Sequence, residues 1–238
     1  MKRRPAAALA VDGSSAVLLA ARLERGNGAM SDFVIVGAGS AGCVLANRLS
    51  AGGATVTVLE AGGADDNPLI RIPAMYAALQ DTDLDWAYRT TPQTNLNRRR
   101  IFSPRGRVLG GSSSINYMVY MRGNRGDYDH WRQLGAEGWS YDDVLPYFRK
   151  AENNARIHDQ YHGVDGPLSV TDASSHHPLT KLFFDAAASI GLPYNDDFNG
   201  ARQDGYGPFQ MTVGAGGRCS AATAYLHPAM DRKNLTVI

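Results

Sequence analysis

Residues 33–60 have the sequence FVIVGAGSAGCVLANRLSAGGATVTVLE, and its pattern predicts the fold class. The apolar run at 33–36 is typical of a buried strand, and the glycine-rich segment after it opens a helical stretch that continues to about Leu49. A second apolar run at 55–59 predicts another strand, which leads into Glu60. A strand, a tight turn, a helix and a second strand within about 30 residues form a βαβ unit. The sequence therefore predicts an α/β protein with a parallel sheet.

The glycine spacing in this unit predicts a Rossmann-like dinucleotide site. Gly37, Gly39 and Gly42 form Gly-x-Gly-x-x-Gly between a strand and a helix, and Glu60 follows Gly42 by 18 positions. In such a unit the first glycine permits the turn, the second lets backbone N–H groups approach a pyrophosphate, and the third lets the helix pack closely. The helix N-terminus favours the anion. Glu60 is expected to hold ribose hydroxyls, but this motif alone leaves a nicotinamide and a flavin cofactor equally open.

The composition is that of a globular protein. With 238 residues, the chain suffices for one large core or for a core with a smaller lobe. Hydrophobic residues at 44% and charged residues at 20% argue against a disordered chain or a coiled coil. The net charge of +1 and the lack of aromatics within the arginine run at 98–100 predict no nucleic-acid partner. No window approaches the roughly 18 apolar residues of a membrane span.

Cysteine and histidine spacing predicts no metal site. Cys43 and Cys219 are far apart and lack CxxC or histidine spacing, so reduced thiols and a cytoplasmic location are expected. None of the six histidines shows HxxxH or HExxH spacing.

The remaining chain is predicted in coarser terms. Residues 64–107 form an excursion from the sheet, with a strand at 86–88 and a polar turn at the arginine run. Helices are expected within 127–150, as a pair separated by Gly138-Trp139, and further at 179–190 and 220–230. Residues 234–238 are expected to open a strand, which suggests a truncated chain.

Several longer motifs resemble one known family. They are the glycine turn at 34–42, the segment Leu59-Glu60-Ala61-Gly62-Gly63, the run GRVLGGSSSINYMVYMRG at 106–123, and Gly138-Trp139-Ser140-Tyr141. His162-Gly163 with Gly166-Pro167-Leu168, and residues 220–226, are similar to further family stretches. Together they resemble the N-terminal half of a glucose-methanol-choline (GMC) family FAD-dependent oxidoreductase, of the kind that includes choline and alcohol dehydrogenases.

The resemblance implies a set of FAD-binding residues. It places Gly37, Gly39, Ser40, Ala41 and Gly42 at the pyrophosphate and Glu60 at the adenosine ribose. It places a second group along the diphosphate and the isoalloxazine ring: Arg107, Val108, Gly110, Gly111, Ser112, Asn116, Tyr117, Met118 and Val119. The family's catalytic histidine lies in a C-terminal half, so no catalytic residue is assigned here. Some members attach FAD through a histidine at the position of Ile115, so FAD is expected to bind without a covalent bond.

The resemblance also implies a domain plan and an activity. Residues 1–29 are expected to be a disordered extension with no part in the fold, 30–160 an FAD-binding domain, 161–217 the start of a substrate-binding lobe, and 218–238 a return to the FAD-binding domain. The implied reaction is oxidation of a small-molecule alcohol, with hydride transfer to flavin N5, and this chain alone is expected to be inactive. The alternatives are a nicotinamide-dependent dehydrogenase and a non-catalytic FAD-binding module. No sequence feature indicates an oligomeric state.

Overall fold

The structure is a computed structural model that describes residues 17–19 and 30–238. Its strands are, in chain order, β1 Val17–Leu19, β2 Phe33–Val36, β3 Val56–Leu59, β4 Tyr88–Arg89, β5 Phe102–Ser103, β6 Glu152–Asn154, β7 Leu168–Asp172, β8 Gln210–Met211, β9 Val213–Gly214, β10 Gly217–Arg218 and β11 Leu235–Val237. Its α-helices are α1 Ser40–Ala51, α2 Pro68–Arg71, α3 Arg125–Gln133, α4 Tyr141–Ala151 and α5 Pro178–Ser189. Among the described residues no helix is long and apolar enough to cross a membrane.

The described chain forms two compact units. The first contains the residues up to Tyr117 together with Gly217–Ile238, and the second contains Met118–Gly216. The sequence predicts a first change of domain at 160, which would assign α3 and α4 to the first domain. These helices fall in the second unit because they pack on each other through aromatic side chains and α4 leads directly into β6.

The first unit is built on a four-stranded sheet with the order β1-β2-β3-β11. Strand β3 lies parallel to β2 and to β11, with Thr57 opposite both Val34 and Thr236. The predicted βαβ unit is confirmed, and so is the strand expected at 234–238. Because all three parallel strands are short and rich in β-branched residues, they form a buried sheet whose carboxyl ends meet at one edge.

Strand β1 comes from the predicted N-terminal extension. Val17–Leu19 pairs with β2 in antiparallel register, Val17 opposite Val36 and Leu19 opposite Val34. These three residues therefore belong to the sheet, although the sequence analysis expected no part of the extension to join the fold. The rest of that extension, 1–16 and 20–29, lies outside the described residues.

Helix α1 packs closely because its buried face consists of small residues. That face contains Gly42, Cys43, Ala46, Asn47 and Ser50. A Cβ added to Gly42 would lie 1.9 Å from the carbonyl oxygen of Gly37, which no side chain can tolerate. The requirement for glycine at this position therefore comes from the contact between helix and turn.

The C-terminal segment crosses α1 before it enters the sheet. The Asn47 side-chain amide donates to the Tyr225 carbonyl at 2.7 Å, and Arg232 donates to the Asn47 carbonyl and the Ser50 hydroxyl. The helix expected at 220–230 is instead a π-helical turn, Ala222–Leu226, followed by a 3₁₀ turn, His227–Ala229. Pro228 has no N–H to continue an α-helical ladder, which accounts for the change of geometry.

The excursion at 64–107 has its own small core. Ile70, Leu79, Val108 and Ile115 form a buried apolar cluster. Nearby, the Asp85 carboxylate accepts backbone N–H groups from Asp81, Ala87 and Arg105. The polar turn at the arginine run is confirmed, since Asn97 and Arg98 both have positive φ.

The strand expected at 86–88 begins only at Tyr88, because Ala87 has a φ of 49°. An L-residue in this left-handed conformation does not continue a strand. Strand β4 pairs with β5 in a short antiparallel ladder, Tyr88 opposite Ser103.

The second unit joins a helix pair to a three-stranded sheet of order β6-β7-β8. The two predicted helices around Gly138-Trp139 are confirmed as α3 and α4, and the predicted helix at 179–190 is confirmed as α5. Capping boxes begin both α3 and α4, from Asn124 with Asp127 and from Ser140 with Asp143. Such boxes satisfy N–H groups that have no partner within the helix.

A charge network in this unit connects Glu152, the first residue of β6, with side chains from three loops. Arg122 donates to Glu152 at 2.5 Å, and the two nitrogens of His162 contact the Glu152 carboxylate at 2.9 Å and the Asp197 carboxylate at 3.2 Å. Burial alone would lower the pKa of His162, but the hydrogen bonds to Asp197 and Glu152 outweigh it and raise the pKa to about 9. For Glu152 and Asp197 burial opposes ionisation, yet hydrogen bonds headed by the one to His162 lower both pKa values.

This network predicts that the second unit loses stability in alkaline solution. Because the pKa of His162 is raised from 6.5, its contribution is present below about pH 6.5 and is lost as the pH rises through about 9. The free energy of unfolding should fall over that window by on the order of 3 kcal/mol. Urea unfolding at several pH values measures it. Because the pKa values of Glu152 and Asp197 are lowered, their contribution to stability is present at neutral pH and is lost in acid.

The variant His162→Gln should remove this alkaline loss, and His176→Gln, at an exposed histidine of the same unit, should retain it. An alkaline loss of the native size in His162→Gln would show that another group is responsible.

Candidate functional site

A cavity of about 750 Å³ lies at the carboxyl edge of the sheet in the first unit. In open parallel α/β sheets this edge is where ligands bind. The cavity has walls from the glycine turn, the end of β3, the hairpin β4-β5 and the glycine-serine loop. Its lining residues are Val36, Gly37, Gly39, Ser40, Ala41, Leu59, Glu60, Ala61, Trp86, Tyr88, Ser103, Arg105, Gly106, Gly111 and Ser112.

The N-terminus of α1 opens into this cavity. Its N-cap is Gly39, and the first turn has neither a capping side chain nor an acidic residue. The first N–H groups of a helix have no intrahelical partner, so they are available to an anion. A Cβ placed on Gly39 would meet no heavy atom within 4 Å, so the space above the turn is open. Gly37, with a φ of 94°, makes the sharp turn that exposes this helix end.

Glu60 has a structural task in addition to the expected binding role. Its two carboxylate oxygens accept the N–H of Ala38 at 2.6 Å and the N–H of Gly62 at 2.9 Å. The carboxylate therefore ties the glycine turn to the segment after β3. Each carboxylate oxygen has a second acceptor position, so Glu60 can still accept hydroxyl groups of a ligand.

An aromatic wall that the sequence analysis did not identify lines part of the cavity. The rings of Trp86 and Tyr88 lie nearly parallel, with centroids 5.9 Å apart, and the Arg107 guanidinium lies 5.1 Å from the Trp86 ring centroid. Both rings are partly exposed. Two aromatic residues in an irregular segment form no periodic sequence pattern. Only the structure of the excursion shows that they line the same cavity as the glycine turn.

The glycine-serine loop touches the glycine turn through backbone atoms. The N–H of Gly110 donates to the Ala38 carbonyl at 2.8 Å. A Cβ on Gly111 would lie 2.7 Å from the Cα of Gly39, and one on Gly106 would lie 2.2 Å from the carbonyl oxygen of Gly111. Gly110 and Gly111 also have positive φ angles of 87° and 55°. Side chains are therefore excluded where the two motifs meet.

The structure brings together about half of the predicted binding residues. Those that line the cavity are Gly37, Gly39, Ser40, Ala41, Glu60, Gly111 and Ser112. Gly42, Val108 and Gly110 are buried and are not among the lining residues.

The predicted residues from 116 onward lie elsewhere. Asn116 and Tyr117 are exposed and are not among the lining residues, and Tyr117 packs on Tyr76 with ring centroids 4.3 Å apart. Met118 and Val119 belong to the second unit, where Met118 is buried with a φ of 61° and Val119 pairs with Met211.

Arg218 is a further residue that the sequence analysis missed. It lies on β10 and is buried, and its guanidinium donates to the carbonyl oxygens of Ile70, Ser113 and Asn116. A single arginine in a glycine-rich segment gives no signal in the sequence. Its partners are more than 100 positions away, so only the fold reveals them.

One group of side chains in the second unit has metal-ligand character. Single ligand atoms of Asp159, His162 and Asp197 lie within 4.8 Å of one another. Both nitrogens of His162 contact carboxylates, and with a pKa of about 9 the imidazole is protonated at neutral pH. The His162 backbone N–H donates to Asp159 and its Nε2 contacts Asp197, so hydrogen bonding accounts for the grouping of these three residues.

Comparison with known proteins identifies the family. A family model described as GMC oxidoreductase matches residues 31–238. The oxygen-dependent choline dehydrogenase of Photobacterium profundum is 50% identical over 210 residues, which cover 87% of this chain and 37% of that protein. The alcohol dehydrogenase [acceptor] of Pseudomonas putida is 50% identical over 212 residues, which cover 88% of this chain and 38% of that protein.

Solved structures agree with the sequence relatives. Pyridoxine 4-oxidase from Mesorbium loti superposes with a TM-score of 0.82 at 39% identity, over 86% of this chain and 41% of that one. An FAD-dependent oxidoreductase from Chaetomium thermophilum superposes with a TM-score of 0.78 at 30% identity, over 86% of this chain and 37% of that one. The chain thus spans about two fifths of the length of the relatives that it matches. Since the family model matches most of its residues, the chain belongs to the GMC oxidoreductase family.

Proposed function

We propose that this chain binds FAD in the cavity of its first unit and forms the FAD-binding part of an oxidoreductase that acts on CH–OH groups. The observation that carries the proposal is the uncovered N-terminus of α1, capped by Gly39, which lines the same cavity as Glu60. Family membership supports a flavin rather than the nicotinamide alternative, and one structural relative is described as FAD-dependent. The names of the sequence relatives support a small-molecule alcohol, choline among them, as the substrate.

The glycine turn is suited to the pyrophosphate of the cofactor. Backbone N–H groups at Gly39, Ser40 and Ala41 offer donors to phosphate oxygens, and the helix dipole adds a favourable field. Gly42 keeps the helix close to the turn and so sets the direction of these donors. The absence of acidic side chains in the first turn leaves the anion unopposed.

Two other parts of the cavity lining, Glu60 and the pair of aromatic rings, are suited to the adenosine part. Glu60 can accept ribose hydroxyls as charge-assisted hydrogen bonds. The parallel rings of Trp86 and Tyr88 offer flat apolar faces to a planar ring. Arg105, on the same lining, adds positive charge near the phosphates.

The flavin end of the site rests on the resemblance. In this proposal Arg107, Val108, Gly110, Gly111 and Ser112 shape the approach to the isoalloxazine ring, and Asn116 and Tyr117, in the first unit, lie along it. The chain from 161 to 217 begins a substrate-binding lobe, and 218–238 returns to the FAD-binding domain.

Bound FAD supplies the hydride acceptor for oxidation of the alcohol carbon to a carbonyl. The lining residues include no histidine or lysine, and Glu60 already accepts two N–H groups, so the described cavity holds no evident base for the alcohol proton. We therefore propose that this chain alone does not oxidise alcohols. Cys43 and Cys219 form no disulfide bond, which supports a reducing, cytoplasmic location.

The variant Gly39→Ala tests the proposed site directly. Its methyl group would enter open space, so the free energy of unfolding should stay near the native value, while the methyl group occupies the phosphate position. We expect the dissociation constant for FAD, titrated into apoprotein by fluorescence quenching, to rise by about tenfold or more, equivalent to at least about 1.4 kcal/mol.

Two further glycine variants control for the fold. In Gly63→Ala the added methyl group also enters open space, but position 63 lies outside the cavity lining. This variant should therefore bind FAD with the native dissociation constant. Gly42→Ala should lose stability, because its Cβ would clash with the Gly37 carbonyl. Native FAD affinity in Gly39→Ala would rule out the proposed pyrophosphate position.

Glu60→Ala should weaken FAD binding and also destabilise the apoprotein. Each lost hydrogen bond from a ribose hydroxyl to the carboxylate is worth on the order of 1.5 to 3 kcal/mol. The N–H groups of Ala38 and Gly62 would lose their acceptor as well. Parallel FAD titration and urea unfolding separate these effects, with Asp66→Ala, an exposed acid of the same segment, as the control. Unchanged affinity in Glu60→Ala would remove Glu60 from the site.

FAD should be released intact when the loaded protein is precipitated with acid. Ile115 offers no nucleophile, and its side chain is 2% exposed within the core cluster of Ile70, Leu79 and Val108. The supernatant should therefore be yellow and the pellet colourless, as absorbance of each fraction would show. Colour that stays with the pellet would reveal a covalent attachment at another residue.

A further inference from the structure

Arg218 is a buried cation with no acidic partner among the residues that the structure describes. Its Nε donates to the Ile70 carbonyl at 2.9 Å, and its Nη1 donates to the Ser113 carbonyl at 3.1 Å and to both oxygens of Asn116 at 2.8 Å. All these acceptors are neutral. Burial lowers the pKa of Arg218 to about 10, and no carboxylate among the described residues opposes this effect.

This arrangement is costly for the stability of the first unit. The Nη2 of Arg218 is buried and has no hydrogen-bond partner among the described residues. A buried donor without a partner and a buried charge without a counter-charge both oppose folding. An apolar side chain of similar volume at this position would avoid both costs. Core packing therefore does not explain why an arginine occupies it.

The contacts of Arg218 converge on the end of the glycine-serine loop. Three of its four hydrogen bonds end on Ser113 and Asn116, and the N–H of Ala221, three residues further along, donates to the Ser113 hydroxyl at 2.9 Å. The segment 113–116 is thus fixed from one side by the C-terminal part of the chain. Since Oδ1 of Asn116 accepts from Arg218, the amide must present its nitrogen, a donor, in the other direction.

We propose that Arg218 is a positioning residue for the cofactor, which holds the segment 113–116 in the conformation that directs the Asn116 amide towards the flavin ring. The inference rests on the proposed function, because it requires FAD to lie along this segment. Arg218 acts through the loop and does not touch the cofactor, since its own side chain is buried. Asn116 is exposed, so it can reach a ligand that Arg218 cannot.

The variant Arg218→Met, made in the 238-residue chain, tests the role of the guanidinium. It should raise the dissociation constant for FAD by about tenfold, which corresponds to about 1.4 kcal/mol. It should also change the visible circular dichroism spectrum of the bound flavin. This spectrum depends on how the protein holds the flavin ring, and a loss of protein stability alone does not change it. Arg218→Lys keeps the charge but lacks the fork of donors, so its affinity and spectrum should lie between the native and Met values.

Arg232→Met is the matched control. Arg232 lies in the same C-terminal segment and also donates to a carbonyl and a hydroxyl, but its partners Asn47 and Ser50 are in the second half of α1, away from the glycine-serine loop. It should keep the native dissociation constant and the native flavin spectrum. Urea unfolding of each apoprotein shows which variants are folded.

The outcomes separate this inference from the proposed function. Native affinity and a native flavin spectrum in Arg218→Met would overturn the inference and leave FAD binding in place. If Arg218→Met does not fold, Arg218→Lys decides in the same way, since native values there would show that the fork is not needed. Failure of the native chain to bind FAD would overturn the proposed function, and the inference with it.

Discussion

Backbone contact between the glycine turn and the glycine-serine loop is the constraint on which the site depends. Gly111 lies so close to Gly39 that a Cβ would come within 2.7 Å of the neighbouring Cα, and the N–H of Gly110 bonds to the Ala38 carbonyl. The glycine-serine loop can approach the turn in this way only because Gly111 carries no side chain at the contact. The same contact leaves the N–H groups at the start of α1 facing the cavity, because no side chain from either loop covers them. The glycines thus shape this side of the cavity because they have no side chains.

The parts of the fold that could be predicted from the sequence are those with local, repeated signals. The strands β2 and β3, the glycine turn and α1 follow one another within 28 residues, and their apolar pattern needs no distant partner. Helices α3 and α4 were equally predictable because each begins with a capping residue and carries apolar side chains at helical spacing. In both cases the information that selects the structure lies within the element itself.

The parts that could not be predicted depend on distant partners. Trp86 and Tyr88 face the cavity because Asp85 organises the excursion through three backbone N–H groups, and no pattern of residue types specifies that arrangement. Arg218 finds its partners 102 to 148 positions earlier in the chain. The motif run at 106–123 was predicted as one cofactor segment, yet the chain passes from the first compact unit to the second between Tyr117 and Met118. Motif spacing indicates which residues form one sequence motif, but it does not indicate where one compact unit of the fold ends and the next begins.

The C-terminal segment makes the binding site inseparable from the fold of the first unit. It lays β11 against β3, ties Asn47 and Ser50 of α1 through Arg232, and holds the glycine-serine loop through Arg218 and Ala221. Each of these contacts spans more than 100 residues, so the first of them to form closes a long loop and bears its entropic cost, and the others then form between segments already close together. A ligand that binds only the folded unit shifts this balance by mass action, in proportion to its concentration relative to its dissociation constant. FAD bound as proposed would therefore stabilise the sheet, the turn and the loop together, because none of the three forms the cavity alone.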